Sequence, residues 1–198
     1  MKKAFLVLLL FFAFIEVNAQ KKTFFGFKTA YSFTEWKWNM YPEPTVSGWG
    51  LTVGGFADYN VNEKGWLRAE IDYSQYNFNL SENNGYDVTF IELPITFNAK
   101  LYRGLCSYFG LGLGFKMSDA TYWMSSDETL NQIPILKNYK PEYFKSTNVF
   151  FPVGISYTFD FGMYLDFRMN LNINDMSNSS VDFAKGLNSY NIGLGYKF

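Results

Sequence analysis

The chain has 198 residues, 17 of them basic and 18 acidic, and 21% are aromatic. It has one cysteine, Cys106, and no histidine, which excludes an internal disulfide, a histidine-assisted nucleophile and an ordinary zinc site. The balanced charge gives no basic surface of the kind that nucleic acid requires.

The opening stretch, MKKAFLVLLLFFAFIEVNAQ, pairs a basic start (Lys2, Lys3) with an apolar run from Ala4 to Phe14 and small residues around Val17-Asn18-Ala19. That is the pattern of a cleaved secretory signal peptide, and the run is short for a spanning helix. Residues 1–19 are therefore expected to be removed, leaving residues 20–198 as a single domain with 15 basic and 17 acidic side chains. No later apolar run reaches the roughly 20 residues of a membrane helix, so any membrane crossing would be made by strands.

From Thr23 onward the hydrophobic period is two. The segments Thr23–Phe33, Gly48–Asn60 and Trp66–Ser74 set apolar faces such as Phe25-Phe27-Tyr31-Phe33 against glycine and charge. Phe90–Leu101 places Ile91, Leu93, Ile95 and Phe97 opposite Glu92 and Pro94. Ser107–Met117 alternates Phe109, Leu111, Leu113 and Phe115 with Gly110, Gly112, Gly114 and Lys116. Asn148–Phe159, Met163–Asn172 and Ser189–Phe198 continue the pattern, which makes eight strands.

The second face decides between topologies. It is rich in glycine and carries Lys28, Arg68, Lys116, Arg168 and Lys197 against Asp58, Glu70, Asp72, Glu92 and Asp166. Small residues and opposed charges suit a cramped lumen in which ions neutralise one another, with the apolar face turned to lipid. Glu92 is accordingly expected to point inward, near a lysine or arginine. Phe56 and Phe150 share the inward parity and narrow the interior, as eight strands require. Links after the second, fourth and sixth strands are short, and those after the first, third, fifth and seventh are longer, an asymmetry typical of outer-membrane barrels. Phe25, Tyr59, Tyr157, Tyr196 and Phe198 gather near one end of the strands, and Tyr31, Trp49, Tyr73 and Tyr190 near the other, as interfacial girdles do. The expected fold is thus all-β, an eight-stranded antiparallel up-and-down transmembrane β-barrel. Pro94 and Pro152 fit least well, since each must cost a ladder bond or sit at a bulge.

FIELPITFNAKL resembles the Leu-Glu-Ile-Pro strand of the PorT-like outer-membrane β-barrel family of Bacteroidetes, with Leu93 where isoleucine is common. CSYFGLGLGFKM, YLDFRMNLNI and YNIGLGYKF resemble that family's fifth, seventh and eighth strands. The resemblance implies insertion into the outer membrane by the barrel-assembly machinery, which reads the terminal aromatics Tyr196 and Phe198. It also implies a possible place beside a secretion system, the role of the family's namesake.

Chemistry is sparse. Glu70 and Asp72 share a face and could in principle act as acid and base, but ion pairing with Arg68 or Arg168 explains them more simply. SENNG (Ser81–Gly85) and NDMSNSS (Asn174–Ser180) are oxygen-rich without EF-hand spacing and read as solvated loops. Aromatic side chains in the two long outer loops, Trp36, Trp38, Tyr41, Trp123, Tyr139 and Tyr143, are candidates for recognition, although barrel rims use such residues structurally too. The expectation is a non-enzymatic outer-membrane barrel of structural or interaction type, without cofactor or metal. Outer-membrane lipid surrounds it, and any extracellular partner meets its loops. Two alternatives stand beside this: an accessory component of a secretion system, and a soluble periplasmic barrel that binds an apolar ligand.

Overall fold

The computed structural model describes residues 23–38, 45–81, 84–123, 145–174 and 184–198. They form eight strands: β1 (Thr23–Trp38), β2 (Thr45–Asn60), β3 (Gly65–Ser81), β4 (Asn84–Tyr102), β5 (Leu105–Trp123), β6 (Thr147–Thr158), β7 (Met163–Asn172) and β8 (Ala184–Lys197). Each strand pairs antiparallel with its neighbours in the chain, and β8 returns to pair with β1, closing an up-and-down barrel. Closure removes the free edges that would otherwise expose unpaired backbone groups.

Alternation along the strands turns the apolar face outward. Val53, Ile71, Ile95 and Leu111 are each about three-fifths exposed, at 61%, 60%, 59% and 61%. On the opposite face Lys28, Asp58, Arg68, Glu70 and Asp72 are buried. An apolar band of this extent would drive aggregation in water, whereas hydrocarbon solvates it. The parity read from the sequence therefore carries over to every strand, and the soluble alternative does not fit the outer surface.

Both prolines are accommodated without a bulge. The β3–β4 ladder runs through Ala69↔Ile95 and resumes at Asp72↔Glu92, so Pro94 falls in a two-residue interruption. Its pairing with Gly112 on the other side is intact. Pro152 sits in the same kind of gap between Phe109↔Val153 and Gly112↔Phe150, while its pairing with Asn170 on β7 is kept. Each ring thus removes pairing from one ladder only, and the strand keeps its register across the gap.

The strands are longer on one side than alternation alone suggested. β3, β4 and β5 have 17, 19 and 19 residues, whereas β6 and β7 have 12 and 10. About 9–11 tilted residues cross a bilayer, so β3–β5 form a wall that stands above it. This corrects the expected loop at Ser81–Gly85, because Ser81 ends β3 and Asn84 and Gly85 begin β4, leaving only 82–83 between them. Trp36 and Trp38 likewise lie within β1 and Trp123 within β5 rather than in loops. Where the wall begins, Met117 is the extra residue of a β-bulge: Phe90 pairs with Lys116 and Thr89 with Ser118. The bulge brings Lys116 and Asp119 together, Nζ to Oδ2 at 3.1 Å. On the short side, above β6 and β7, asparagine amides take over from the ladder: Asn174 Oδ1 accepts from Val149 N at 2.7 Å and Asn188 Oδ1 from Asn172 N at 3.0 Å.

Candidate functional site

The lumen is where the chain concentrates its polar chemistry, and it is filled in layers. Glycines make this possible. Phe56, Tyr76, Tyr108, Phe150 and Tyr164 all point inward, and their direct cross-strand partners are Gly26, Gly50, Gly154, Gly112 and Gly195 respectively. At each of these glycines a β-carbon would overlap the side chain of its partner. Each large inward side chain thus lies over a residue that has none.

At the end with the short turns, which orientation rules make periplasmic, Arg68 forms a two-pronged pair with Asp58, Nε to Oδ1 at 2.6 Å and Nη2 to Oδ2 at 2.9 Å. Lys197 reaches the same carboxylate at 2.9 Å. The Arg68 guanidinium stacks on Phe56, 3.9 Å from the ring centroid, and Phe56 meets Tyr164 edge-on. These planar groups occupy the lower lumen.

The middle layer is centred on Glu70. Its carboxylate takes both Arg168 Nη1 (2.8 Å) and Nη2 (2.7 Å), and it also pairs with Lys28. Lys28 contacts Asp72 Oδ2 at 2.7 Å as well. Arg168 Nε donates to Tyr108 Oη at 3.1 Å, and Tyr108 donates to Asp166 Oδ1 at 2.7 Å. Charge-assisted bonds with fork geometry are the strongest available to a buried carboxylate. This ring draws on β1, β3, β5 and β7, so it ties opposite walls together.

Glu92 points inward beside Lys28 and Arg168 but makes no direct ion pair. No lysine or arginine lies within 4 Å of it among the described residues; hydroxyls hold it instead. Ser74 Oγ donates at 2.9 Å and Tyr76 Oη at 3.1 Å, with Thr52 and Ser74 joined at 2.9 Å. The physical reason is supply: Lys28 and Arg168 are already committed to Glu70, Asp72 and Asp166. Tyr76 and Tyr108, which complete these networks, were missed in the sequence. Each has the same parity as a charged neighbour (Asp72 for Tyr76, Lys116 for Tyr108), and that parity is the signal that identifies them.

Above Glu92 the lumen turns apolar. Tyr76, Phe78, Tyr86, Val88, Phe90 and Leu187 form one buried cluster with Val46 against it. This cap lies inside the tall wall, whose outer surface has become polar at Gln75, Asn77 and Asn79. Within the bilayer the barrel is apolar outside and polar inside; above it the order reverses, as water on the outside demands. The central layer retains a cavity of about 10 Å³ between Lys28, Asp72, Glu92 and Arg168, room for about one water.

Of the ten inward charged residues, nine belong to the layers just described, and Lys116 pairs with Asp119 beside the cap. Tyr196 and Phe198 lie on the outer surface at the periplasmic end, with Phe198 N donating to Phe25 O at 2.9 Å. Trp36, Trp38 and Trp123 are placed by backbone only, and Tyr41, Tyr139 and Tyr143 lie outside the described residues, as do 175–180 of the second oxygen-rich stretch and the whole of 1–22.

In backbone trace the barrel is similar to the crystal structure of Neisserial surface protein A, with a TM-score of 0.61 at 15% identity over 88% of this chain and 97% of that one. It is also similar to Ail, the attachment invasion locus protein of Yersinia pestis, with a TM-score of 0.50 at 12% identity over 89% of this chain and 99% of that one. At such identities the likeness concerns the fold. No curated protein matches the chain in sequence. The model of the outer membrane protein β-barrel domain matches residues 4–198, and with nearly the whole length matched, a closed eight-stranded barrel and a lipid-facing apolar wall, the chain belongs to that family of outer-membrane proteins.

Proposed function

We propose that this protein is a non-enzymatic outer-membrane barrel of the interaction type, one that presents a preformed rim to the outside of the cell and conducts nothing through its lumen. The observation that carries this reading is the filled interior: an ion-paired ring beneath an apolar cap, inside a wall of β3–β5 that rises past the bilayer. A wall built with its own core holds its shape without a ligand, and preorganised surfaces bind at lower entropic cost. Glu70 and Asp72, the carboxylates best placed for acid–base chemistry, are both taken up by Lys28 and Arg168, which supports a structural role for them. Residues 1–19 act as the export signal in this reading, and Tyr196 and Phe198 as the signal for insertion. The aromatic residues Trp36, Trp38, Tyr41, Trp123, Tyr139 and Tyr143 are the contact residues in this reading.

The test has two arms. Reconstituted in planar bilayers, the protein is expected to show no discrete conductance steps. Replacing Trp36, Trp38 and Trp123 together by serine is expected to leave the folded barrel intact while abolishing capture of a partner by intact cells. Reproducible channel openings would overturn the closed-lumen reading. A partner recovered from the periplasmic side in mild detergent, equally by both variants, would move the protein to the side of a secretion assembly.

A further inference from the structure

The periplasmic mouth holds a second feature that the closed lumen does not use. A pocket of about 670 Å³ opens there between the β4–β5 and β6–β7 turns. Arg68, Lys100, Arg103 and Lys197 line it, against the single carboxylate of Asp160. Asp58, just behind, is already shared by Arg68 and Lys197. Lys100 and Arg103 have no carboxylate within 4 Å among the described residues. Trp66 also lines the pocket, and its buried indole N–H has no hydrogen-bond partner among the described residues. The middle of the lumen, by contrast, has more carboxylates than cations, so the two layers carry opposite surpluses.

We propose that this pocket binds a phosphate group. Apart from Asp160, the charged groups that line it are donors, Arg68, Lys100, Arg103 and Lys197, and the ligand that satisfies donors and offsets surplus positive charge is a multivalent oxyanion. Arg103 supplies a fork and Lys100 a mobile point charge. The pocket opens at the periplasmic mouth and Tyr157 and Phe159 also line it, so the phosphate can arrive on a phospholipid or free in the periplasm.

The whole protein, purified in non-ionic detergent, is mixed with equal amounts of phosphatidylglycerol and phosphatidylcholine, and retained lipid is read by native mass spectrometry. Inorganic phosphate is titrated separately and followed by phosphorus NMR. The comparison variant is Lys100→Gln with Arg103→Asn, asparagine being chosen because residue 103 has φ 45°; each single change is measured too, so that a folding failure of the double variant leaves the question answerable. Lys64→Gln, on the β2–β3 turn outside the pocket, is the control. Preferential retention of phosphatidylglycerol, reduced roughly tenfold in the double variant and unchanged in the control, assigns a headgroup phosphate. Saturable phosphate binding lost in the same variant, without lipid preference, assigns free phosphate. Retention and phosphate binding that are absent, or that are unaffected by both single changes, overturn the site.

Discussion

Glu70 and Glu92 are both buried glutamates on the inner face, one turned to cations and the other to hydroxyls, and the same conservative change separates their roles. Glu70→Gln removes the carboxylate that takes both Arg168 nitrogens at 2.7 and 2.8 Å and pairs with Lys28. An amide offers one acceptor in place of two and turns an N–H₂ toward the guanidinium. Breaking a buried pair this way costs about 3–5 kcal/mol. Asp72 remains 2.7 Å from Lys28 and 3.9 Å from Arg168, which holds the expected loss to the lower end, about 3 kcal/mol. Glu92→Gln keeps an acceptor for Ser74 or Tyr76 and removes a carboxylate that has no cation within 4 Å among the described residues, so about 1 kcal/mol or less is expected. Equilibrium urea unfolding in phospholipid vesicles, followed by tryptophan fluorescence, gives both numbers under one condition. Equal losses for the two variants, or a loss near zero for Glu70→Gln, would refute the assignment of Glu70 as the hub of the ring.

Ile95→Arg places a charge on the lipid face near mid-bilayer, and about 2–4 kcal/mol of stability should be lost in the same vesicle assay. Gly112→Val drives a side chain into the Phe150 ring and is expected to cost about 1–3 kcal/mol, a loss that Phe150→Ala in the same chain should partly reverse in a double-mutant cycle. Asp58→Asn leaves Arg68 and Lys197 facing each other without their shared carboxylate; about 3 kcal/mol of destabilisation is expected in urea, and a loss below about 1 kcal/mol would mean that water at the mouth screens the pair.

Inward and outward faces were legible because a strand has a period of two and the outer face, Leu51-Val53 or Leu111-Leu113, never carries a charge within the bilayer. What the sequence did not disclose is which inward residue meets which. Glu70 finds Arg168 across 98 positions and Lys28 across 42, and those meetings depend on the stagger of the strands, which no local pattern encodes. The same gap explains Glu92: its parity was readable, but the hydroxyl of Tyr76 reaches it only because Asp72 and Glu92 are register partners on β3 and β4. Strand heights were hidden for a different reason. Alternation inverts its phase at Gln75-Tyr76-Asn77-Phe78, because polar residues take the outer positions while apolar ones take the inner, and the stretch then reads as an ordinary soluble strand.

That inversion is itself the physical record of the membrane surface. Along β3 the inner residues run Arg68, Glu70, Asp72, Ser74, Tyr76, Phe78, and the outer ones Leu67, Ala69, Ile71, Tyr73, Gln75, Asn77. Both series change character at the same height, one from charged to apolar and the other from apolar to polar. A change on one face alone could be accidental, but a simultaneous exchange means that the medium outside the wall has switched from hydrocarbon to water. Below the switch the barrel cannot gain from burying apolar groups inside, since lipid solvates them equally well, and it is held by ladders and ion pairs. Above it the ordinary hydrophobic effect returns, and the cluster of Tyr76, Phe78, Tyr86, Val88, Phe90 and Leu187 gives the projecting wall a core of its own. The part of the molecule that faces the outside is thus stabilised independently of the part that sits in lipid, so rim residues can vary while the ion-paired ring beneath them stays intact.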